Sequence, residues 1–134
     1  MKHYLVDTNV IIDMLLNRED ADAAVAVILG AERGDYMLYL CSLSFTNIFY
    51  SLRKFLSWEQ RIASLIQLRK VLYVAYVDTI VIDKALKSGW KDFEDAVQNF
   101  SAVANPLITG IITRNQKDFQ NSDLEILDSR LFLQ

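Results

Sequence analysis

Short apolar runs alternate with helical periodicities along almost the whole chain, and that alternation narrows the fold more than any single motif. Runs at 3–7, 37–41, 72–77, 107–113 and 124–127 read as strands, several with the β-branched and aromatic residues that suit a pleated surface. Between them lie helical patterns at 9–17, from Asp20 or Ala21 to Arg33-Gly34, from 42–44 to 54–55, and at 57–70, 79–88 and 93–104. Ser57 with Gln60 forms a capping-box pair, Ser42 and Ser44 are candidate N-caps, and Gly34 suits a C-terminal cap. Strands separated by helices predict a parallel sheet with helices on both faces. In such sheets a site forms beyond the carboxyl ends of the strands, where strand order reverses.

The chain ends of those strands are polar. Tyr4-Leu5-Val6 stops abruptly at Asp7, followed by Thr8 and Asn9. The run 107–113 ends at Thr113 and passes into Arg114, Asn115, Lys117 and Asp118. A third stretch, "KDFEDAVQNFSA" at 91–102, holds Asp92, Glu94 and Asp95 within four positions. Each has a plain structural reading. Asp7 and Asp92 serve as N-caps, acids favour the first turn of a helix, and the 113–118 segment is a polar loop. On a helical wheel Asp95 shares a face with Asp92 and Asn99, opposite an arc of Phe93, Val97 and Phe100. That face meets solvent or a groove wall, and spacing alone favours solvent. A parallel sheet nonetheless brings all three stretches to one end. Gathered carboxylates repel one another unless a cation is present. Oxygen ligands select a hard divalent ion, magnesium or manganese, of the kind that serves phosphoryl transfer.

Composition removes other classes. The 134 residues suit one domain, expected over 1–134, and 52% of them are hydrophobic. A net charge of −3 supplies no global basic field for nucleic acid, so RNA contacts would be local. Cys41 is alone and reads as a small buried hydrophobe, which suits a cytoplasmic location. One histidine, His3, rules out a histidine-pair mechanism, and no glycine-rich phosphate loop occurs. No apolar run spans a membrane.

The motifs "LVDTNVIIDML" at 5–15, "SLSFTNIFYSLRK" at 42–54, "DFEDAVQ" at 92–98 and "IITRNQKDF" at 111–119 resemble those of a PIN domain, the nuclease fold of VapC-type toxins. They occur in the family's order and span most of the chain. The resemblance implies a three-layer α/β/α fold with a parallel sheet of about five strands. It also implies an acidic pocket for Mg2+ or Mn2+, cleavage of RNA, and an antitoxin partner. Asp7 matches the family's first acidic position and Asp95 its third. The second falls on Asn47 and the fourth on Asn115, so amides stand where carboxylates are usual. An amide adds no charge, so Asp92 and Asp118 join Asp7 and Asp95 as expected metal ligands, with Glu94 a further source of charge. Thr8, Asn9 and Thr113 would orient carboxylates or waters around them.

Arg114 and Lys117 are candidate contacts to a substrate phosphate, or ordinary loop residues. The pairs Arg53-Lys54 and Arg69-Lys70 are explained by helix dipoles. Apolar stripes at Phe45, Ile48, Phe49 and Leu52, and at Trp58, Ile62, Leu65, Ile66 and Leu68, read mostly as core. Their excess in so small a domain suits a homodimer or an antitoxin groove. Two rival readings remain. One is a PIN-like module that binds RNA or protein without cutting. The other is a receiver-like or phosphatase-like domain, disfavoured because Asn9 stands where the phosphatase type has its second acid.

Overall fold

A computed structural model describes residues 1–133. Its elements are β1 His3–Val6, α1 Thr8–Leu15, α2 Ala21–Glu32, β2 Met37–Cys41, α3 Ser42–Ser51, α4 Trp58–Val71 and β3 Tyr73–Ala75. Then follow α5 Thr79–Lys87, α6 Phe93–Val103, β4 Gly110–Thr113, a 3-10 turn Gln116–Phe119, β5 Glu125–Asp128 and a 3-10 turn Ser129–Phe132. The strands form one parallel sheet in the order β3-β2-β1-β4-β5. The chain lays strands outward on one side of β1, then crosses back to place β4 on the other side. Strand order therefore reverses between β1 and β4, and their carboxyl ends bound the crevice.

Alternation along each strand sends side chains to two cores. Tyr4, Val6, Leu38, Leu40 and Ile112 pack on one face with Val10, Ile11, Val27, Ile48, Leu52 and Leu68 from α1 to α4. Leu5, Tyr39, Cys41 and Ile111 pack on the other with Val81, Ala85, Ala96, Val97, Ala102 and Phe119. The architecture is three layers, α/β/α. No described helix is long and apolar enough to cross a membrane.

Several edges differ from the sequence reading for physical reasons. Asp7 leaves the first strand to cap α1, its carboxylate accepting from the Asn9 N–H. Leu72 ends α4 instead of opening β3, because its N–H still donates to the Leu68 carbonyl at 2.8 Å. The fourth strand starts at Gly110, not Leu107: the Asn105 side chain accepts from the Leu107 N–H and holds a turn there. Neither Ser42 nor Ser44 caps α3, whose first flanking residue is Cys41. The Ser57–Gln60 capping box is present with both bonds, at 3.1 and 2.9 Å. Trp58 and Ile66 lie outside the core, which α4 enters beside α2 and α3 chiefly through Leu68 and, in part, Leu65. The wheel of α6 is also corrected. Phe93 is exposed, while the face carrying Asp95 and Asn99 is buried rather than solvated.

Tyr36 fixes how α2 lies on the sheet. Its hydroxyl donates to the Val27 carbonyl at 2.5 Å, and its ring lies against Tyr4 and Phe132. It also covers Gly30 so closely that a Cβ there would stand 2.8 Å from its Cζ and 2.9 Å from its Cε2. The Gly30→Ala variant should thus lose stability by about 1 kcal/mol or more, despite alanine's better helix propensity. Thermal melting checks this, and a rise in Tm would contradict it.

Candidate metal centre at the carboxyl edge of the sheet

Asp7 stands just past β1, tied to the neighbouring strand by its backbone N–H, which donates to the Ile112 carbonyl at 2.9 Å. Its side chain is buried, and two side chains from distant segments hold it. The Thr113 hydroxyl donates to Oδ2 at 2.9 Å, and the Gln98 amide donates to Oδ1 at 3.2 Å. Gln98 also accepts, through Oε1, from the Thr8 N–H and the Thr8 hydroxyl, each at 3.0 Å. The Thr8 hydroxyl in turn meets Ser44 of α3 at 2.6 Å. One buried glutamine thus joins β1, α1, α3 and α6 around a single carboxylate.

Asp95 enters from α6. Asp92 caps that helix by accepting from the Asp95 N–H at 3.1 Å, which fixes the first turn and the direction of both acids. Asp92, Asp95, Lys117 and Asp118 line one cleft of about 240 Å3 with Trp90 and Asn121. Thr113, besides holding Asp7, accepts from the Asn115 N–H at 3.2 Å and so starts the turn that carries Lys117 and Asp118. Asn115 itself is exposed, as is Asn9, which touches Asp7 only through its backbone N–H. Asn47 lies on the other side of α6, lining a second cleft with Ser44, Glu94 and Gln98.

The electrostatics are those of crowded anions. Burial pushes the Asp7 carboxyl up, against the lowering effect of Thr113, Gln98 and the Asn9 backbone, and the charge of Asp118 adds to the rise. Asp95 is pushed up to about 8, first by burial and then by the charges of Asp7, Asp92, Asp118 and Glu94. Asp13, Asp35 and Asp128 each find an arginine, whereas among the described residues Asp7, Asp92, Glu94, Asp95 and Asp118 make no salt bridge. The donors are all oxygens and carry excess negative charge, which fits a hard divalent cation. No three described acids form a ready-made metal cage, so the fit lies in the chemistry of the donor set.

Sequence reasoning missed two residues here. Gln98 gave no signal because its partners are 90 and 91 positions away. Asp13, nearly buried on α1, receives Arg114 Nε at 2.6 Å and lies 3.7 Å from Arg18. Arg114 is therefore anchored to α1, pinning the start of the 114–118 turn, while about two-fifths of its side chain remains exposed.

Both Asp7 and Asp95 hold a proton more tightly in the folded chain than in the unfolded one. Their favourable contribution is complete below the unfolded pKa, near 3.8, and is lost as pH rises towards the Asp95 value of about 8. In a metal-free buffer Tm should fall steadily between roughly pH 5 and pH 8. The Asp95→Asn variant should flatten that slope and gain at least about 1.4 kcal/mol at the upper end, one pKa unit's worth. A wild-type Tm that is flat or rises over that range would contradict this.

Comparison with known proteins adds the lineage. The sequence matches the PIN domain family over residues 3–117. In fold the chain is similar to VapBC-1 from nontypeable Haemophilus influenzae, with TM-score 0.70 and 22% identity over 95% of this chain and 98% of that one. It is also similar to a toxin–antitoxin complex from Klebsiella pneumoniae, with TM-score 0.67 and 21% identity over 94% and 97% of the two chains. A third similar structure is VapBC2 from Rickettsia felis bound to a fragment of its promoter DNA, with TM-score 0.67 and 15% identity over 94% and 98%. No curated protein matches the sequence. With residues 3–117 matched, this chain belongs to the PIN domain family.

Proposed function

We propose that this protein is a divalent-metal-dependent endoribonuclease and the toxin of a toxin–antitoxin pair. The observation that carries the reading is the group of carboxylates without salt bridges at the β1/β4 switch point. Asp7 and Asp95 are the principal ligands for Mg2+ or Mn2+, with Asp92 and Asp118 beside them. When bound, the ion supplies charge neutralisation at a phosphodiester and lowers the pKa of a water. Gln98 and Thr113 keep Asp7 in one orientation, so that its oxygens need no rearrangement. Lys117 stands in the acidic cleft and is placed to meet a substrate phosphate. Arg114 approaches the same phosphate from its anchor on Asp13. Asn47 and Asn115 contribute as amide donors and acceptors.

Relatives in fold include toxin–antitoxin and VapBC complexes, which supports an antitoxin as partner. An apolar groove between α3 and α4, lined by Phe45, Ile62, Leu65 and Ile66, offers a surface for that antitoxin or for a second copy of the chain. Cytoplasmic RNA is the substrate this reading requires. The amides at Asn47 and Asn115 favour a second reading, a PIN module that binds RNA or protein without cleaving it.

Cleavage of a mixed-sequence RNA in Mn2+ separates the two. The first reading expects turnover that EDTA abolishes and that Asp7→Asn and Asp95→Asn each lower by about a hundredfold or more. Cleavage that survives EDTA, or that Asp95→Asn leaves intact, would overturn it. RNA binding without any cleavage would establish the second.

A further inference from the structure

A buried carboxylate needs a counter-charge, and one arginine supplies it. Asp13 has two. The acid is 3% exposed, on the last turn of α1. Arg114, from the turn after β4, brings Nε to 2.6 Å from Oδ2. Arg18, just beyond α1, brings Nη1 to 3.7 Å from Oδ1. The backbone places this second arginine. Asn17 takes a left-handed φ of 51°, and the Arg18 N–H donates to the Asp13 carbonyl at 2.9 Å. A left-handed residue after a helix folds the chain back on its last turn, and here it returns Arg18 to Asp13.

We propose that Asp13 is a positioning residue that sets Arg18 and Arg114 side by side as a seat for one backbone phosphate of RNA. The proposal rests on RNA as the substrate in the reading above. Two guanidiniums carry about ten N–H donors between them, whereas one carboxylate offers about four lone-pair sites. The remaining donors are open to other acceptors, since 50% of the Arg18 side chain and 41% of the Arg114 side chain are exposed. Among the described residues neither arginine meets any other acid. Two cations on one anion leave a net positive charge there, and the planar guanidinium fork matches the oxygens of a phosphate. Stability does not explain Arg18, because a half-exposed arginine at 3.7 Å adds little to a pair that Arg114 already completes. The seat is carried by the same two elements as the acidic centre. Arg114 follows Thr113, which holds Asp7, and Asp7 caps the helix that ends at the seat. Asp13 lies six residues beyond that cap, about 9 Å along α1, which keeps a seated phosphate clear of the crowded acids.

Fluorescence anisotropy of a labelled oligouridine in EDTA, where the nuclease reading expects no cleavage, measures binding apart from turnover. Arg18→Gln changes an exposed side chain and should leave Tm unaltered while weakening binding about threefold or more. The Arg18→Gln/Arg114→Gln double variant should flatten the slope of log K against log salt by about 0.7, the value for one single-strand phosphate. Asp13→Asn separates positioning from charge. Removing an anion tightens RNA binding by plain electrostatics, whereas loss of the seat weakens it, and a folded Asp13→Asn protein should bind about threefold or more weakly. Wild-type affinity in Arg18→Gln, tighter binding in folded Asp13→Asn, or a slope change near 1.4 in the double variant would each overturn the shared seat and leave the nuclease reading standing. A wild type that neither binds nor cleaves RNA would overturn both.

Discussion

Asp7 is held at once by two separated parts of the chain, β4 and α6, and the rest of the site is arranged around that grip. Its backbone N–H belongs to β4 through Ile112, one side-chain oxygen to Thr113, and the other to Gln98 of α6. A buried carboxylate is tolerated only when its lone pairs are met, because an unmet one costs several kcal/mol of the order a whole domain has to spare. Meeting them forces β1, β4 and α6 into register at their carboxyl edge. The sheet order β3-β2-β1-β4-β5 makes that edge the switch point, so packing and chemistry coincide there.

The same grip sets the electrostatics. Hydrogen bonds from Thr113 and Gln98 favour the ionised form of Asp7, and burial opposes it. Asp95, facing the same centre with no salt bridge, bears the excess and is driven to about 8. The molecule therefore folds around a group of acids that disfavour one another. The other buried acid, Asp13, is by contrast paired with an arginine, Arg114. Two buried acids without a salt bridge in the crevice of a PIN domain are an arrangement suited to a function that a cation completes.

Much of this was legible in the sequence. The alternation of apolar runs and helical periods led to a parallel α/β sheet, and polar residues at strand ends marked Asp7, Thr113 and the 114–118 turn. The family motifs pointed to the PIN fold, which the structure and the family match bear out. What stayed hidden was the inner face of α6. A wheel assigns burial to apolar arcs, so it placed Phe93 inside and left the Asp95 face to solvent or a groove wall, favouring solvent. The fold reverses this because that face packs on other polar groups: Gln98 on Asp7 and Thr8, and Asn99 on Ser122. Partners so distant in sequence leave no local periodicity. The Asp13–Arg114 pair was invisible for the same reason, as it joins α1 to the turn after β4. Trp58 and Ile66 fail in the opposite sense, since an apolar residue on α4 need not face the sheet.

The arrangement stands or falls on where a divalent ion binds. A crystal structure of the protein soaked in Mn2+, phased on manganese anomalous scattering, locates it directly. A peak coordinated by Asp7 and Asp95 at the carboxyl ends of β1 and β4 is the expected result. A protein that takes up manganese elsewhere, or shows no peak at either aspartate at saturating metal, would contradict it.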